Sequence, residues 1–123
     1  MLTEAEVLRA LRDCYDPELP CNIVDLGLIR SIRIAADPEA PGSNIPGVPR
    51  KHIVEIQITP THATEAAEAQ LRAQIANRLA GLETVSHTEI TLLDQPTWTP
   101  QQITPQGRRT LGLDGNPNLV QIR

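Results

Sequence analysis

Apolar side chains recur at helical spacing in two segments of the chain, which predicts two amphipathic helices. The first covers residues 3–15, and Thr3 and Glu6 fit the capping box in which each side chain bonds a backbone N–H at a helix start. The second covers residues 66–79, with Thr64 suited to cap its start and Gly81 suited to terminate it. These two helices are expected to cover one side of the core.

Three further segments read as strands. Residues 52–58 alternate apolar and polar positions, which is typical of a half-buried strand. Residues 28–34 and 84–93 are rich in β-branched residues, although Arg30 interrupts the apolar face of the former. The predicted buried face of that strand holds Leu28, Ile32 and Ile34. A short last helix is predicted from Thr104 to Gly112, with a proline at its first position.

The elements follow the order α-β-β-α-β-α, which predicts an α+β two-layer fold. We expect a small mixed sheet with helices packed mainly on one face. Residues 36–51 contain four prolines and two glycines and are expected to form a long irregular loop. The 123 residues suit a single domain, 1–123, that closes with a C-terminal segment, 94–123.

The amino-acid composition and net charge argue against several classes of function. Aromatic residues make up 2% of the chain, so the core must be aliphatic. The net charge of −4 and the scarcity of stacking side chains argue against a nucleic-acid partner. No apolar run reaches the length of a membrane span, and the acidic N-terminus does not resemble a signal peptide. We therefore expect a cytoplasmic protein with no membrane partner, whose cysteines are free thiols.

A loop at residues 16–27, here called the motif loop, places three carboxylates near a cysteine. Asp16, Glu18 and Asp25 lie within ten residues and flank Cys21. One interpretation makes them metal ligands or groups that tune a thiol. The other is local: Asp16 starts a turn, Glu18 is solvated, and Asp25 bonds backbone N–H groups near Gly27.

The two cysteines differ in their setting. Cys14 lies near the apolar face of the first helix and is expected in the core. Cys21 lies in the motif loop and is the better candidate for an accessible thiol and a metal ligand. The remaining nitrogen ligands are His52, His62 and His87. These groups are too few to predict a self-contained cluster or zinc site, although a site shared across a dimer stays open.

Outside the motif loop, His62 and Trp98 are also candidate functional residues. His62 precedes the second helix and could bind an anion near its N-terminus, or simply face solvent in a turn. Trp98 lies in a rigid, proline-flanked segment. It could anchor a partner protein or cover an edge of its own core.

Three sequence blocks together resemble the DUF59 family of small iron–sulfur cluster assembly proteins, with its SufT-like and PaaD-like members. Residues 16–20 and 22–29 resemble the family signature, and residues 58–61 resemble its strand-to-helix turn. Residues 98–100, 103–109 and 111–113 resemble its C-terminal segment. The blocks appear in family order and cover most of the chain.

The resemblance implies an α/β domain like those of iron–sulfur assembly factors and a role in cluster maturation or transfer. It marks Asp16, Glu18 and Asp25 as motif residues. It also directs attention to the turn before the second helix, where the candidate residues are Thr59, Thr61, His62 and Glu65.

The chain departs from the family pattern at one position. Many members carry a reactive cysteine in the turn before the second helix, where this chain has Ala63 or Glu65, depending on the alignment. Thiolate is the usual soft ligand of iron–sulfur clusters. Cys21 is then the candidate replacement.

Sequence alone favours a non-enzymatic accessory factor of iron–sulfur cluster assembly, maturation or transfer. The expected partners are the iron–sulfur assembly machinery or client apoproteins. Whether the chain also forms a homodimer stays an open question at this point. A transient iron–sulfur cluster is the one cofactor that this role implies. The leading alternative is an adaptor of the same fold that binds no cluster, and a weaker one is a hydrolytic or redox enzyme that uses the motif loop.

Overall fold

Residues 2–113 are described by a computed structural model of the chain. The helices are α1 (Glu4–Leu11), α2 (Glu65–Ala80) and α3 (Pro105–Leu111), and the strands are β1 (Ile29–Ala36), β2 (His52–Ile58) and β3 (Val85–Leu92). The predicted α-β-β-α-β-α order is confirmed. Residues 114–123, the last part of the predicted C-terminal segment, lie outside the described residues, as does residue 1 of the predicted domain.

Both long helices begin as the sequence predicts. At α1, the Thr3 hydroxyl accepts the Glu6 N–H at 3.2 Å, and the Glu6 carboxylate accepts the Thr3 N–H at 3.2 Å. At α2, the Thr64 hydroxyl accepts the Ala67 N–H at 3.2 Å. These bonds satisfy N–H groups that have no partner within a helix.

Helix α1 is shorter than the predicted segment 3–15. It ends at Leu11, and Tyr15 instead forms an isolated antiparallel bridge with Asn22. The Ile23 N–H donates to the Cys14 carbonyl at 2.9 Å across this bridge. The tertiary pairing between the end of α1 and the motif loop therefore replaces the last helical turn.

The three strands form a mixed sheet in the order β1-β2-β3. Strand β1 runs antiparallel to β2, and β3 runs parallel to β2. Strand β2 shows the predicted alternation, since Val54, Ile56 and Ile58 are buried and Gln57 is exposed. The central strand thus supplies one apolar face to the core.

A β-bulge shifts the inward and outward alternation of side chains at the start of β1. Ile29 pairs with Ile58 while Ser31 pairs with Gln57, so Arg30 is the extra residue. Cross-strand partners share a face, which places Ile29, not Leu28, beside the inward residues of β2. The prediction that Leu28 belongs to this strand face is therefore wrong, although Leu28 is fully buried just before the strand.

The core lies between the sheet and two helices. Helix α2 packs against β3 and α1, and α1 also contacts β1. The largest fully buried side chains are aliphatic: Leu11, Ile23, Leu26, Leu28, Ile56, Ile58, Leu71, Ile75 and Leu79. Residues 37–51 form a series of turns between β1 and β2, as the proline content predicts.

The C-terminal segment docks on the motif loop. The Trp98 indole N–H donates to the Leu26 carbonyl at 2.6 Å, and the Thr104 N–H donates to the Asp25 carbonyl at 2.8 Å. Gly27 has a φ of +77°, and a Cβ there would overlap the Gln102 carbonyl. The loop and the segment thus meet at a distance that only glycine allows.

We expect Gly27→Ala to destabilise the protein more than Gly47→Ala does. Both glycines have positive φ, but a Cβ at Gly47 meets nothing within 4 Å. The difference therefore isolates the steric conflict with Gln102, which we expect to cost about 1–3 kcal/mol of unfolding free energy. Urea unfolding of both variants measures it. Equal losses would show that the segment does not press on Gly27.

Candidate functional site

Asp16 organises the start of the motif loop. Its carboxylate is buried, and Oδ2 accepts the N–H groups of Glu18 at 2.7 Å and Leu19 at 2.8 Å. These bonds close the turn around Pro17, which an Asp at this position is suited to do. The local interpretation of Asp16 is therefore correct, but it accounts for one carboxylate oxygen only.

The second oxygen of Asp16 reaches the turn before α2. The Thr61 hydroxyl donates to Asp16 Oδ1 at 2.7 Å, and the same hydroxyl lies 3.1 Å from His62 Nδ1. Asp16 and Thr61 are 45 residues apart in sequence. This connected set of Asp16, Thr61 and His62, here called the polar chain, joins two of the three blocks that carry the family resemblance.

Asp25 plays a structural role at the other end of the motif loop. Its carboxylate accepts the Asn22 amide at 2.8 Å and the Thr104 hydroxyl at 3.1 Å. The predicted bonds to backbone N–H groups near Gly27 are not formed, because the Gly27 N–H donates to the Val24 carbonyl at 3.0 Å. That part of the prediction is wrong. Asp25 instead fixes the C-terminal segment.

The other candidate residues of the turn divide into a buried and an exposed group. Thr59 is buried and accepts a bond from the Arg30 side chain at 2.9 Å. His62 and Glu65 are exposed at the start of α2, and Glu18 is exposed in the motif loop. Within residues 2–113, no three His, Cys, Asp or Glu side chains form a group that could hold a metal ion.

Cys21 is buried, which contradicts the prediction of an accessible thiol. Its exposed fraction is 0%, and that of Cys14 is 1%. The Asp16 N–H donates to the Cys21 carbonyl at 3.3 Å, and this pairing holds Cys21 against the core. Burial raises the pKa of both thiols, and the nearby Asp25 carboxylate raises the pKa of Cys21 further. Cys21 does not fit the role of a metal ligand in this fold.

Trp98 packs against the hydrophobic core while remaining partly exposed. Its indole N–H bonds the Leu26 carbonyl within the chain. This position matches the interpretation in which Trp98 covers an edge of its own core. Contact with a partner protein stays a prediction.

Arg30 supports the turn and was not predicted from the sequence. Its guanidinium donates to the Thr59 hydroxyl, to the Pro96 carbonyl at 3.3 Å and to the Gln102 side chain at 3.2 Å. One side chain thereby connects β1, the turn and the C-terminal segment. The sequence feature that could have indicated this role is the presence of a charged residue on an otherwise apolar strand face.

Gln74 is a second supporting residue that sequence reasoning missed. Its side-chain amide accepts the Tyr15 N–H at 3.0 Å and donates to the Tyr15 carbonyl at 2.7 Å. Helix α2 therefore bonds the residue directly before Asp16. No sequence signal marks this contact, since a glutamine on a polar helix face is ordinary.

Comparison with known proteins places this geometry in context. A family model described as iron–sulfur cluster assembly protein matches residues 4–41, which include the whole motif loop. A Porphyromonas gingivalis relative named Fe-S protein maturation auxiliary factor is 26% identical over 89% of this chain and 91% of its own length. A Mycobacterium tuberculosis protein with a known solution structure is 30% identical to this chain. That protein is described as associated with [Fe-S] complex assembly and repair. That similarity covers 91% of this chain and 86% of the other, with a TM-score of 0.51.

The chain belongs to the DUF59 family of iron–sulfur cluster assembly proteins. The fold agrees with this membership. A DUF59 domain from Bacillus anthracis has a TM-score of 0.67 at 22% identity, covering 89% of this chain and 92% of that one. A conserved hypothetical protein from Thermotoga maritima has a TM-score of 0.65 at 24% identity, covering 90% and 95%. The predicted fold and family are thereby confirmed.

None of the helices in residues 2–113 of this DUF59 chain is both long enough and apolar enough to cross a membrane.

We expect both thiols of this DUF59 protein to resist modification in the native state. Burial blocks access, and the raised pKa of each cysteine lowers its thiolate fraction at neutral pH. A thiol-specific chromogenic reagent should react slowly with the native protein. In guanidinium, where the chain is unfolded, it should react with both cysteines. Cys21→Ala provides the control that assigns one thiol. Rapid native modification that is lost in Cys21→Ala would contradict the buried position.

Proposed function

We propose that this protein is an accessory factor in iron–sulfur cluster assembly, maturation or transfer. The family membership supports this role, as do the names of the Porphyromonas gingivalis and Mycobacterium tuberculosis relatives. Its partners would be the assembly machinery or client apoproteins. The protein would act by binding and positioning, not as an enzyme, and would work in the cytoplasm.

The bond between Asp16 and Thr61 is the observation that carries this proposal. It connects the motif loop to the turn before α2, which are two of the three blocks that carry the family resemblance. Bonds to the Glu18 and Leu19 backbone fix the same carboxylate, so the turn is held at a defined place beside the loop. Glu18 in the motif loop and His62 and Glu65 at the start of α2 are exposed to solvent.

A cluster would be cargo of this protein, held for a short time. Both thiols are buried, and the described residues 2–113 contain no group of three His, Cys, Asp or Glu ligands. A cluster normally requires about four ligands. Most of them would therefore come from a client protein, a second copy of the chain or a small thiol.

An adaptor that binds no cluster is the second candidate function. The burial of Cys21 favours it, because the sequence-based replacement for the missing family cysteine does not reach the surface. The same burial counts against an enzyme that would use Cys21 as its nucleophile, since a buried thiol with a raised pKa is a poor nucleophile.

Deletion of the encoding gene in its host tests the proposed function. We expect iron–sulfur enzymes to lose activity at unchanged polypeptide levels, and treatment of extracts with iron, sulfide and thiol to restore it. Enzymes without clusters should keep their activity. Full activity of the iron–sulfur enzymes in the deletion strain, or an equal loss in both classes, would overturn the proposal.

Complementation of this strain tests the polar chain. We expect the wild-type gene and Thr110→Val to restore activity and Thr61→Val to fail, with equal amounts of folded protein. Thr110 is a matched control because its hydroxyl only bonds the Gln106 carbonyl on exposed α3. Full restoration by Thr61→Val would remove the polar chain from the function.

A further inference from the structure

The Thr61 hydroxyl has a single proton, and its neighbours decide where that proton goes. Asp16 Oδ1 lies 2.7 Å away, and a carboxylate only accepts hydrogen bonds. The proton therefore points to Asp16. The oxygen of Thr61 is left as an acceptor toward its second neighbour, His62 Nδ1, at 3.1 Å.

This arrangement fixes the tautomer of His62. Because Thr61 accepts, Nδ1 of the imidazole must carry a hydrogen and donate it. In the neutral ring, Nε2 then has the free lone pair. The side chain is exposed, so the lone pair is available to a ligand from outside the chain.

We propose that His62 Nε2 is a ligand for an iron atom of the cluster cargo. This inference rests on the proposed function. Imidazole nitrogen replaces thiolate on one iron of some [2Fe–2S] centres, so the chemistry is compatible. Ligating histidines usually donate their other ring N–H to a neighbouring group, which fixes the ring and raises its basicity. The polar chain supplies that support for His62.

Neither of the other two histidines of the chain combines an exposed ring with a neighbour that only accepts a hydrogen from Nδ1. His52 is buried, and its Nδ1 lies 3.2 Å from the Thr84 carbonyl. His87 is exposed on β3, and its Nε2 lies 3.6 Å from Glu89, so the nitrogen that would serve as ligand faces a carboxylate. His87 is therefore the matched control for an exposed histidine without the Thr61 contact.

The tautomer is measured first, by nitrogen-15 NMR of the histidine rings at alkaline pH. We expect His62 to carry its hydrogen on Nδ1 in the wild type and in Thr61→Ser. In Thr61→Val it should shift toward the Nε2–H form, because the acceptor is gone. A wild-type His62 with its hydrogen on Nε2, or no change in Thr61→Val, would overturn the proposal.

Ligation is measured next, with a [2Fe–2S] cluster carried by glutathione thiolates as the probe. After reduction, we expect magnetic coupling between the cluster and a histidine nitrogen in wild type and His87→Ala, and none in His62→Ala. Thr61→Val should weaken cluster binding about 10–100-fold, and Thr61→Ser should not. Absence of the coupling in wild type, or its survival in His62→Ala, would overturn the proposal.

The two proposals fail in different ways. Loss of iron–sulfur enzyme activity in the deletion strain without nitrogen coupling would reject the His62 ligand alone. Nitrogen coupling together with undisturbed enzymes in the deletion strain would reject the assembly role, and with it the cargo interpretation of the site.

Discussion

The rest of the site depends on the buried carboxylate of Asp16. Three donors converge on it: two backbone N–H groups of the motif loop and the hydroxyl of Thr61. A buried carboxylate is costly unless such bonds replace its water, so the loop and the turn are stable together in this arrangement. The tautomer inferred for His62 follows from this constraint, because the single Thr61 proton goes to Asp16 and only the hydroxyl oxygen is left to face Nδ1.

Two further sets of contacts keep the motif loop in place. On one side, Gln74 of α2 bonds both backbone groups of Tyr15, the residue before Asp16. On the other side, the C-terminal segment bonds Asp25 and approaches the bare Cα of Gly27. A helix and a terminal segment therefore set the position of the motif loop, an arrangement that is common for functional loops on a rigid scaffold.

The sequence predicted the parts that depend on local pattern. Strand β2, the caps of α1 and α2 and the order of elements follow from alternation, capping residues and helical spacing. The bulge at Arg30, the early end of α1 and the burial of Cys21 depend on pairing between distant segments, which periodicity does not encode. The same limit applies to the site: family resemblance pointed to Asp16 and Thr61, but only the fold joins them.

A double-mutant cycle between Asp16 and Thr61 tests the central claim most directly. The unfolding free energies of Asp16→Ala, Thr61→Val and the double variant are compared with that of the wild type. The account predicts that the two losses are not additive, with a coupling energy of about 0.5–3 kcal/mol for residues in one hydrogen-bond network. Losses that add to within about 0.3–0.5 kcal/mol would show that the bond does not organise the site.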